Sequence, residues 1–450
     1  MKEKNNFLKA VYTLAIPVTL QSMLQSSFSI VDQIMIGQLG SVNVSGVGLA
    51  GKFSSIYTVV ISAIGAVAGI MISQYLGQKN KKEVRRSFFI NLLLGCGIAA
   101  LFAIVCFLFP WEIMDLYTND SEVTLVASSY LSIIAGSFIP LAGATMLSTL
   151  LRCDTKAHLP LFASIVSAAL NTILNYIFIF GKCGCPVLGI KGAALATVIS
   201  QIVNFIIMLI MILKWNSSLK AKHDALLANV VFNWKQYIYM LLPLLVCEVV
   251  WSLGENVYAI IYGHIGTKAN AAMTLTHPIQ GLLIGALCGL SQAASVLIGK
   301  KLGNAEYEDA YYSSKKLIKY GAIAASILSI IVIITSSLYV EIYHVENEVK
   351  ILTTQILFAY ALVAPFKVLN MILGGGIIRS GGKTKYVMFI DIIGTWGFGV
   401  PLGFISAFVH NLSIPYVYFI LSLEECIRFA ISLIVFRRKN WMKQLQATAK

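Results

Sequence analysis

Six carboxylates stand inside otherwise apolar stretches of this 450-residue chain: Asp32, Glu248, Glu255, Asp391, Glu424 and Glu425. Placing an acid in hydrocarbon costs about 3 kcal/mol on insertion scales, so such a residue marks an ion path, a proton relay or a binding site. Asp32 follows Phe28-Ser29-Ile30-Val31, with no Lys or Arg within two turns. A lone carboxylate in that setting suits a group that takes up a proton. It suits Na⁺ equally, as a hard cation that wants oxygen ligands. The competing reading is an acid near a membrane interface, because the apolar stretch ends by Gly37. Asn171 and Asn175 are four apart and share a helix face. Their carbonyl oxygens could complete a cation site or orient Asp32, or they could serve as interhelical hydrogen-bonding glue. Thr197 offers a further hydroxyl oxygen.

The second group has a different character. Glu248 and Glu255 are seven apart and share a face, with Trp251, Ser252 and Tyr258 on or beside it. Acids interleaved with aromatics suit an organic cation, which gains charge pairing and cation–π attraction; the alternative is a pair satisfied by neighbouring helices. Asp391 lies less than two turns past Lys383-Thr384-Lys385. It could act in coupling or pair with those lysines as they snorkel. Glu424 and Arg428 are four apart, the spacing of a helical ion pair, and with Glu425 they read as structural. Lys367, just after Pro365, is a weaker candidate for a counter-charge, as is Lys52.

Several chemistries are missing. No complete GxxxxGK[ST] is present to cradle phosphates; Gly382-Lys383-Thr384 lacks its leading glycine, since Ile377 stands there. There is no HExxH or CxxC, and the six histidines are scattered. The eight cysteines are also dispersed, with Cys183 and Cys185 as a loop pair. An enzyme is not expected, nor a cofactor. Uphill transport by such a chain has to draw on an ion gradient, Na⁺ or H⁺.

The elements that position these residues follow from composition. Hydrophobic residues make up 58% of the chain and charged ones 12%, about half the charge of a soluble domain. Such a chain needs lipid as its solvent. The net charge of +14 does not indicate nucleic acid, because the basic residues sit in short clusters between apolar runs. About twenty apolar residues cross the hydrocarbon, which predicts spans near 10–36, 46–74, 88–110, 124–150, 160–181 and 190–213. A second set is predicted near 236–262, 270–299, 320–340, 351–377, 386–409 and 413–436. Lys79, Lys81, Lys82, Arg85 and Arg86, like Lys300, Lys301, Lys315, Lys316 and Lys319, fall on one side. Glu112, Asp115, Asp120, Glu122, Glu341, Glu346 and Glu348 fall on the other. The positive-inside rule then places both termini in the cytoplasm of a cell membrane. The N-terminus, with Lys2, Lys4 and Lys9, carries no cleavable signal pattern.

The two sets are copies. At a constant shift of 226 residues Pro17 matches Pro243, Gly37 matches Gly263, Gly40 matches Gly266, and Leu76-Gly77 matches Leu302-Gly303. Arg152 and Arg379 follow at 227. Six spans per copy keep the same orientation, so the expected fold is all-α and integral to the membrane. It has twelve transmembrane helices in two six-helix lobes, related by a pseudo-two-fold axis along the membrane normal. The lobes are expected over 1–213 and 236–436, with a linker at 214–235 and a cytoplasmic tail at 437–450. A cargo cavity is expected between the lobes.

These residues resemble the multidrug and toxic compound extrusion (MATE) family along essentially the whole chain. The resemblance rests on Pro17, Val31-Asp32, Gly37-Gln38-Leu39-Gly40 and the repeat Pro243…Gly263-His264-Ile265-Gly266. Gln74-Tyr75-Leu76-Gly77-Gln78, Leu150-Leu151-Arg152-Cys153-Asp154, Asn171…Asn175 and Gly192-Ala193-Ala194-Leu195-Ala196-Thr197 also carry it. It implies a V-shaped pair of lobes that exports amphipathic, often cationic compounds in exchange for Na⁺ or H⁺. It also implies a cation site at Asp32, Asn171, Asn175 and Thr197. The chain departs from the DinF-like branch, which has an Asp where Asn175 stands. It departs from the NorM-like branch too, whose seventh-span acid falls at Trp251, with Glu248 and Glu255 a turn to either side. That branch's tenth-span acid falls near Val368 and is absent; Asp391 is a candidate replacement. Small organic molecules and lipid are the expected partners, and a monomer the expected state. A flippase of lipid-linked oligosaccharide is the alternative, against which the excess of acids over bases inside the spans argues.

Overall fold

The computed structural model describes residues 2–215, 233–343 and 345–446; most of the linker expected at 214–235 lies outside them. Every element among the described residues is helical. Six membrane-length helices precede that gap: α1 (Lys2–Gly37), α2 (Ser41–Gly77), α3 (Lys81–Leu108), α4 (Ser121–Cys153), α5 (His158–Phe180) and α6 (Gly189–Trp215). After it come α7 (Trp234–Ile265), α8 (Thr267–Gly303), α9 (Tyr307–Glu341), α10 (Asn347–Ile378) and α11 (Thr384–Val409). These eleven are long and apolar enough to cross a bilayer. The twelfth span is made of two pieces, α12 (Ile414–Ser422) and α13 (Glu424–Arg437). They meet at Leu423, whose backbone stays right-handed helical at φ −60° and ψ −16°. The chain is thus an all-α integral membrane protein with twelve spans.

Local chemistry sets the ends of these helices. The Asn80 side chain accepts from the Glu83 backbone N–H at 3.2 Å and starts α3; Asp120 accepts from Glu122 N–H at 3.0 Å and starts α4. Gly181, at φ +65°, closes α5 in the left-handed conformation that glycine adopts without strain. The outward faces are oily. On α9, Ile323, Ile327, Ile330, Ile334 and Leu338 follow helical spacing and are 50–72% exposed. Such a stripe would be untenable in water and is ordinary in lipid.

The chain forms two compact units, one of residues 20–72 and 80–231, the other of 1–19, 73–79 and 232–450. Two short pieces of the first half, 1–19 and 73–79, therefore pack with the second set of spans. The reason lies at repeat-related glycines. A methyl group added to Gly77 would overlap the Lys300 carbonyl, and one added to Gly303 would overlap the Gln74 carbonyl. Lys300 is itself the repeat counterpart of Gln74, so the end of α2 and the end of α8 cross reciprocally. Gly289 likewise admits the Ala15 backbone of α1. The segment after α13 covers this crossing. The Gln74 amide donates to the carbonyls of Ser380 and Lys443, at 2.7 and 3.1 Å, and accepts from Leu445 N–H at 2.7 Å. Gln78 donates to the Leu445 carbonyl at 2.8 Å, and Trp441 is fully buried.

Parts of α10 and α11 are under-wound. Met371–Ile378, Ile393–Gly399 and Ile405–Val409 are π-helical, a form that leaves backbone groups needing other partners. The Ser291 hydroxyl of α8 meets one such group by donating to the Met371 carbonyl at 2.7 Å. Gly376 admits the Ser291 backbone at the same place.

Candidate functional site

Three helices of the first set bring the first-span acid to its expected neighbours. A small apolar cluster of Ile36, Ile179 and Ala193 joins α1, α5 and α6. Each of its members stands one helical turn from a polar residue: Ile36 from Asp32, Ile179 from Asn175 and Ala193 from Thr197. The cluster thereby fixes which side chains face one another. Asn175 Nδ2 donates to Asp32 Oδ1 at 2.7 Å. Turned so that its nitrogen faces the carboxylate, the Asn171 amide donates to both Asp32 oxygens at 2.9 and 3.2 Å. That orientation is the better one, because a carboxylate is a stronger acceptor than the Thr197 and Ser200 hydroxyls 3.4 Å away on the other side. Asn175 Oδ1 is buried and has no hydrogen-bond partner among the described residues.

This group opens on a cavity of about 700 Å³. Asp32, Asn175, Thr197, Tyr130 and Lys52 line it. Lys52 shares the cavity, yet Asp32 makes no ion pair among the described residues. Its carboxylate faces the amides and the cavity, and no basic side chain holds it among the described residues. An amide has donors at one end and an acceptor at the other. The same two asparagines therefore can donate to a bare carboxylate or, turned over, present oxygens to a cation or to a protonated acid.

The second set is organised differently. Glu248 and Glu255 share a helix face but face two separate cavities, because seven residues carry α7 about 10 Å along its axis. Glu255 lines a small one of about 80 Å³ with Tyr258, His277, Lys367 and Glu424. Tyr258, the repeat counterpart of Asp32, donates its hydroxyl to Glu424 at 2.6 Å. Glu248 and Trp251 line a larger cavity of about 300 Å³ with Arg379, Asp391 and Arg428. Lys367 lines both.

The partners within this cluster are not those that helical spacing predicts. Lys383 and Lys385 sit over the Tyr239 ring, at 6.0 and 4.5 Å, instead of pairing with Asp391. Asp391 accepts from the Cys247 thiol at 2.6 Å and faces Arg428 at 3.8 Å. Arg428 also lies 3.8 Å from Glu425 and donates to Thr395, while Glu424 is taken by Tyr258. Asn370 donates to Glu425 at 2.8 Å. Arg379 and Cys247 are not among the candidates that residue type and spacing single out. Cys183 and Cys185 are free thiols, and the described residues hold no metal-binding cluster.

The chain has clear relatives. The MatE family model matches it twice, over residues 17–177 and 243–405, which is the internal repeat. An uncharacterized transporter of Bacillus subtilis, YisQ, is 23% identical over 97% of this chain and 95% of its own length. Human multidrug and toxin extrusion protein 1 is 26% identical over 90% of this chain and 70% of its own. Among solved structures, the Vibrio cholerae MATE transporter VcmN in its bent form superposes with a TM-score of 0.88 at 19% identity, covering 99% of this chain and all of that one.

Proposed function

We propose, from the premise that this chain belongs to the MatE family, that it is a secondary active exporter of amphipathic, often cationic organic compounds. Na⁺ or H⁺ entering at Asp32 drives the cargo out. The observation that carries this reading is the Asp32 group: a lone carboxylate on a large cavity, held by two amides that can turn over and in no ion pair among the described residues.

The coupling chemistry follows from those amides. With the site free of cation, Asn171 and Asn175 donate to the carboxylate. Na⁺ neutralises Asp32 and wants oxygens, so the amides turn their carbonyls inward; Asn175 Oδ1, orphaned as it stands, supplies one ligand. A proton acts in the same direction, because a neutral carboxyl becomes a donor that an amide oxygen accepts. Either cation converts a donor-rich site into an acceptor-rich one. That repacks α1 against α5 and gives the loaded and empty site different preferences for two states of the protein, which is what coupling requires. The names of relatives such as human multidrug and toxin extrusion protein 1 support a small organic cargo. The protein acts as a monomer in the plasma membrane with both termini cytoplasmic.

The test is accumulation of a fluorescent lipophilic cation in proteoliposomes, with a Na⁺ gradient and a pH gradient imposed one at a time. One of the two is expected to drive accumulation against the dye gradient. Accumulation under neither would overturn the reading.

A further inference from the structure

The repeat allows one network to be read twice. In the first set Arg152 Nη2 donates to Gln21 Oε1 at 2.8 Å, and Gln21 Nε2 donates to Ser164 Oγ at 2.7 Å. At the shifts already given, Gln21 corresponds to Cys247, Ser164 to Asp391 and Arg152 to Arg379. The positions are retained while the chemistry changes. Cys247 has no amide oxygen to offer an arginine, and it gives its thiol hydrogen to Asp391. The Arg379 guanidinium is left with no hydrogen bond or ion pair among the described residues, and it lines the cavity of about 300 Å³. The residue next to the lost glutamine also changes. Ser22 corresponds to Glu248, whose carboxylate lines the same cavity and is equally without a hydrogen bond or ion pair among the described residues. A hydrogen-bonded network around one cation in the first copy has become, in the second, an open cavity where the side chains of Arg379 and Glu248 make no hydrogen bond or ion pair among the described residues.

Of the other charges there, the Lys367 ammonium also has no hydrogen bond or ion pair among the described residues, and the rest are held. Asp391 holds the Cys247 thiol, and Arg428 is spanned by Asp391, Glu425 and Thr395. Arg379 and Glu248 attract one another but make no ion-pair contact among the described residues, so each can engage an occupant that carries both charges. A planar guanidinium matches a carboxylate through two parallel bonds. Glu248 and Trp251 are three residues apart on α7 and line the cavity together, the pairing that takes an ammonium group by charge and by cation–π attraction.

We propose that the cavity between α7, α10 and α11 is a binding site for zwitterionic aromatic compounds, whose carboxylate meets Arg379 and whose ammonium meets Glu248 and Trp251. The proposal deepens the exporter reading and rests on it for calling the occupant cargo. It differs from a purely cation-selective site in giving Arg379 a recognition role.

The test is equilibrium binding to the purified full-length protein in lipid nanodiscs, with no ion gradient. Three fluorescent probes share one aromatic ring: an amino acid zwitterion, its methyl ester (cation only) and its N-acetyl form (anion only). Wild type is expected to bind the zwitterion at least about tenfold more tightly than either relative, the worth of one charge-assisted contact. Arg379→Gln should bring zwitterion affinity down to that of the ester and leave ester affinity unchanged. Arg379→Lys should keep most of the preference. Cys247→Gln restores the amide of the other copy and removes no charge; it should re-engage Arg379 and weaken the zwitterion alone. Ester binding as tight as zwitterion binding in wild type would overturn the proposal, as would an Arg379→Gln loss shared equally by ester and zwitterion. Should ion-driven transport fail while the zwitterion preference stands, only the exporter reading falls.

Discussion

Substituting alanine at Gly77 or Gly303 should loosen one defined crossing. A Cβ at Gly77 would overlap the Lys300 carbonyl oxygen and lie 2.8 Å from its carbon. At Gly303 it would overlap the Gln74 carbonyl oxygen and lie 2.7 Å from that carbon. Carbon atoms in favourable contact sit at about 3.5–4.0 Å, so the ends of α2 and α8 must part by roughly 1 Å. Backbone cannot rotate away as a side chain can. Overpacking of this kind costs about 1–3 kcal/mol, and each single variant should lose that much. The two glycines serve the same crossing, so once one methyl has spread the helices the second enters more cheaply. Gly77→Ala/Gly303→Ala should therefore fall short of the sum of the singles by at least ~0.5 kcal/mol, the size of coupling expected between neighbours. Gly263→Ala is the control: nothing lies within 4 Å of a Cβ there, and alanine in a helix should gain up to about 1 kcal/mol. Denaturant unfolding in detergent micelles, followed by circular dichroism, measures all four. Single variants as stable as wild type, or a strictly additive double variant, would refute the reciprocal crossing.

Three further outcomes are expected. Trp441→Ala empties a fully buried indole site in the segment that follows α13, and should lower unfolding stability by about 3–5 kcal/mol. Arg428→Met strands Asp391 and Glu425, which flank the guanidinium at 3.8 Å. It should cost about 3–5 kcal/mol, and adding Glu425→Gln should return part of that, read from the same unfolding curves. Lys439 is held above its ordinary pKa, first by its hydrogen bond to Glu308. A raised lysine contributes its stability in full below its unfolded pKa near 10.5 and loses it only as pH rises through the higher folded value. Melting midpoints of wild type and Lys439→Ala should therefore keep a constant difference from pH 6 to 9, shrinking as salt is added.

The sequence made the spans, the repeat and the Asp32 group legible, because each rests on local or near-local rules. Apolar runs mark lipid crossing whatever packs against them, and Asn171 and Asn175 share a face by helix geometry alone. The second set resisted the same treatment. Helical spacing assigned Glu424 to Arg428 and Asp391 to Lys383 or Lys385, whereas Tyr258 takes Glu424 and Arg428 reaches Asp391 across helices. Pairing in a bundle is decided by which helices meet, and spacing along one helix does not contain that. The break at Leu423 and the π segments were invisible for a similar reason, being shifts of backbone hydrogen bonding inside continuous apolar runs. Arg379 leaves a trace in the repeat. Carrying the shift of 226 on from Pro17 to Gln21 exposes Cys247 where an amide should stand, which signals that the arginine of that copy has lost its partner.

Asp32→Asn tests the coupling role most directly. The reconstituted variant should still bind a lipophilic cation at equilibrium, since the cavity linings of the second set are untouched. Its ion-gradient-driven accumulation of that cation should fall to the level of empty liposomes. Gradient-driven accumulation at the wild-type rate would show that the cation enters elsewhere and would contradict the account.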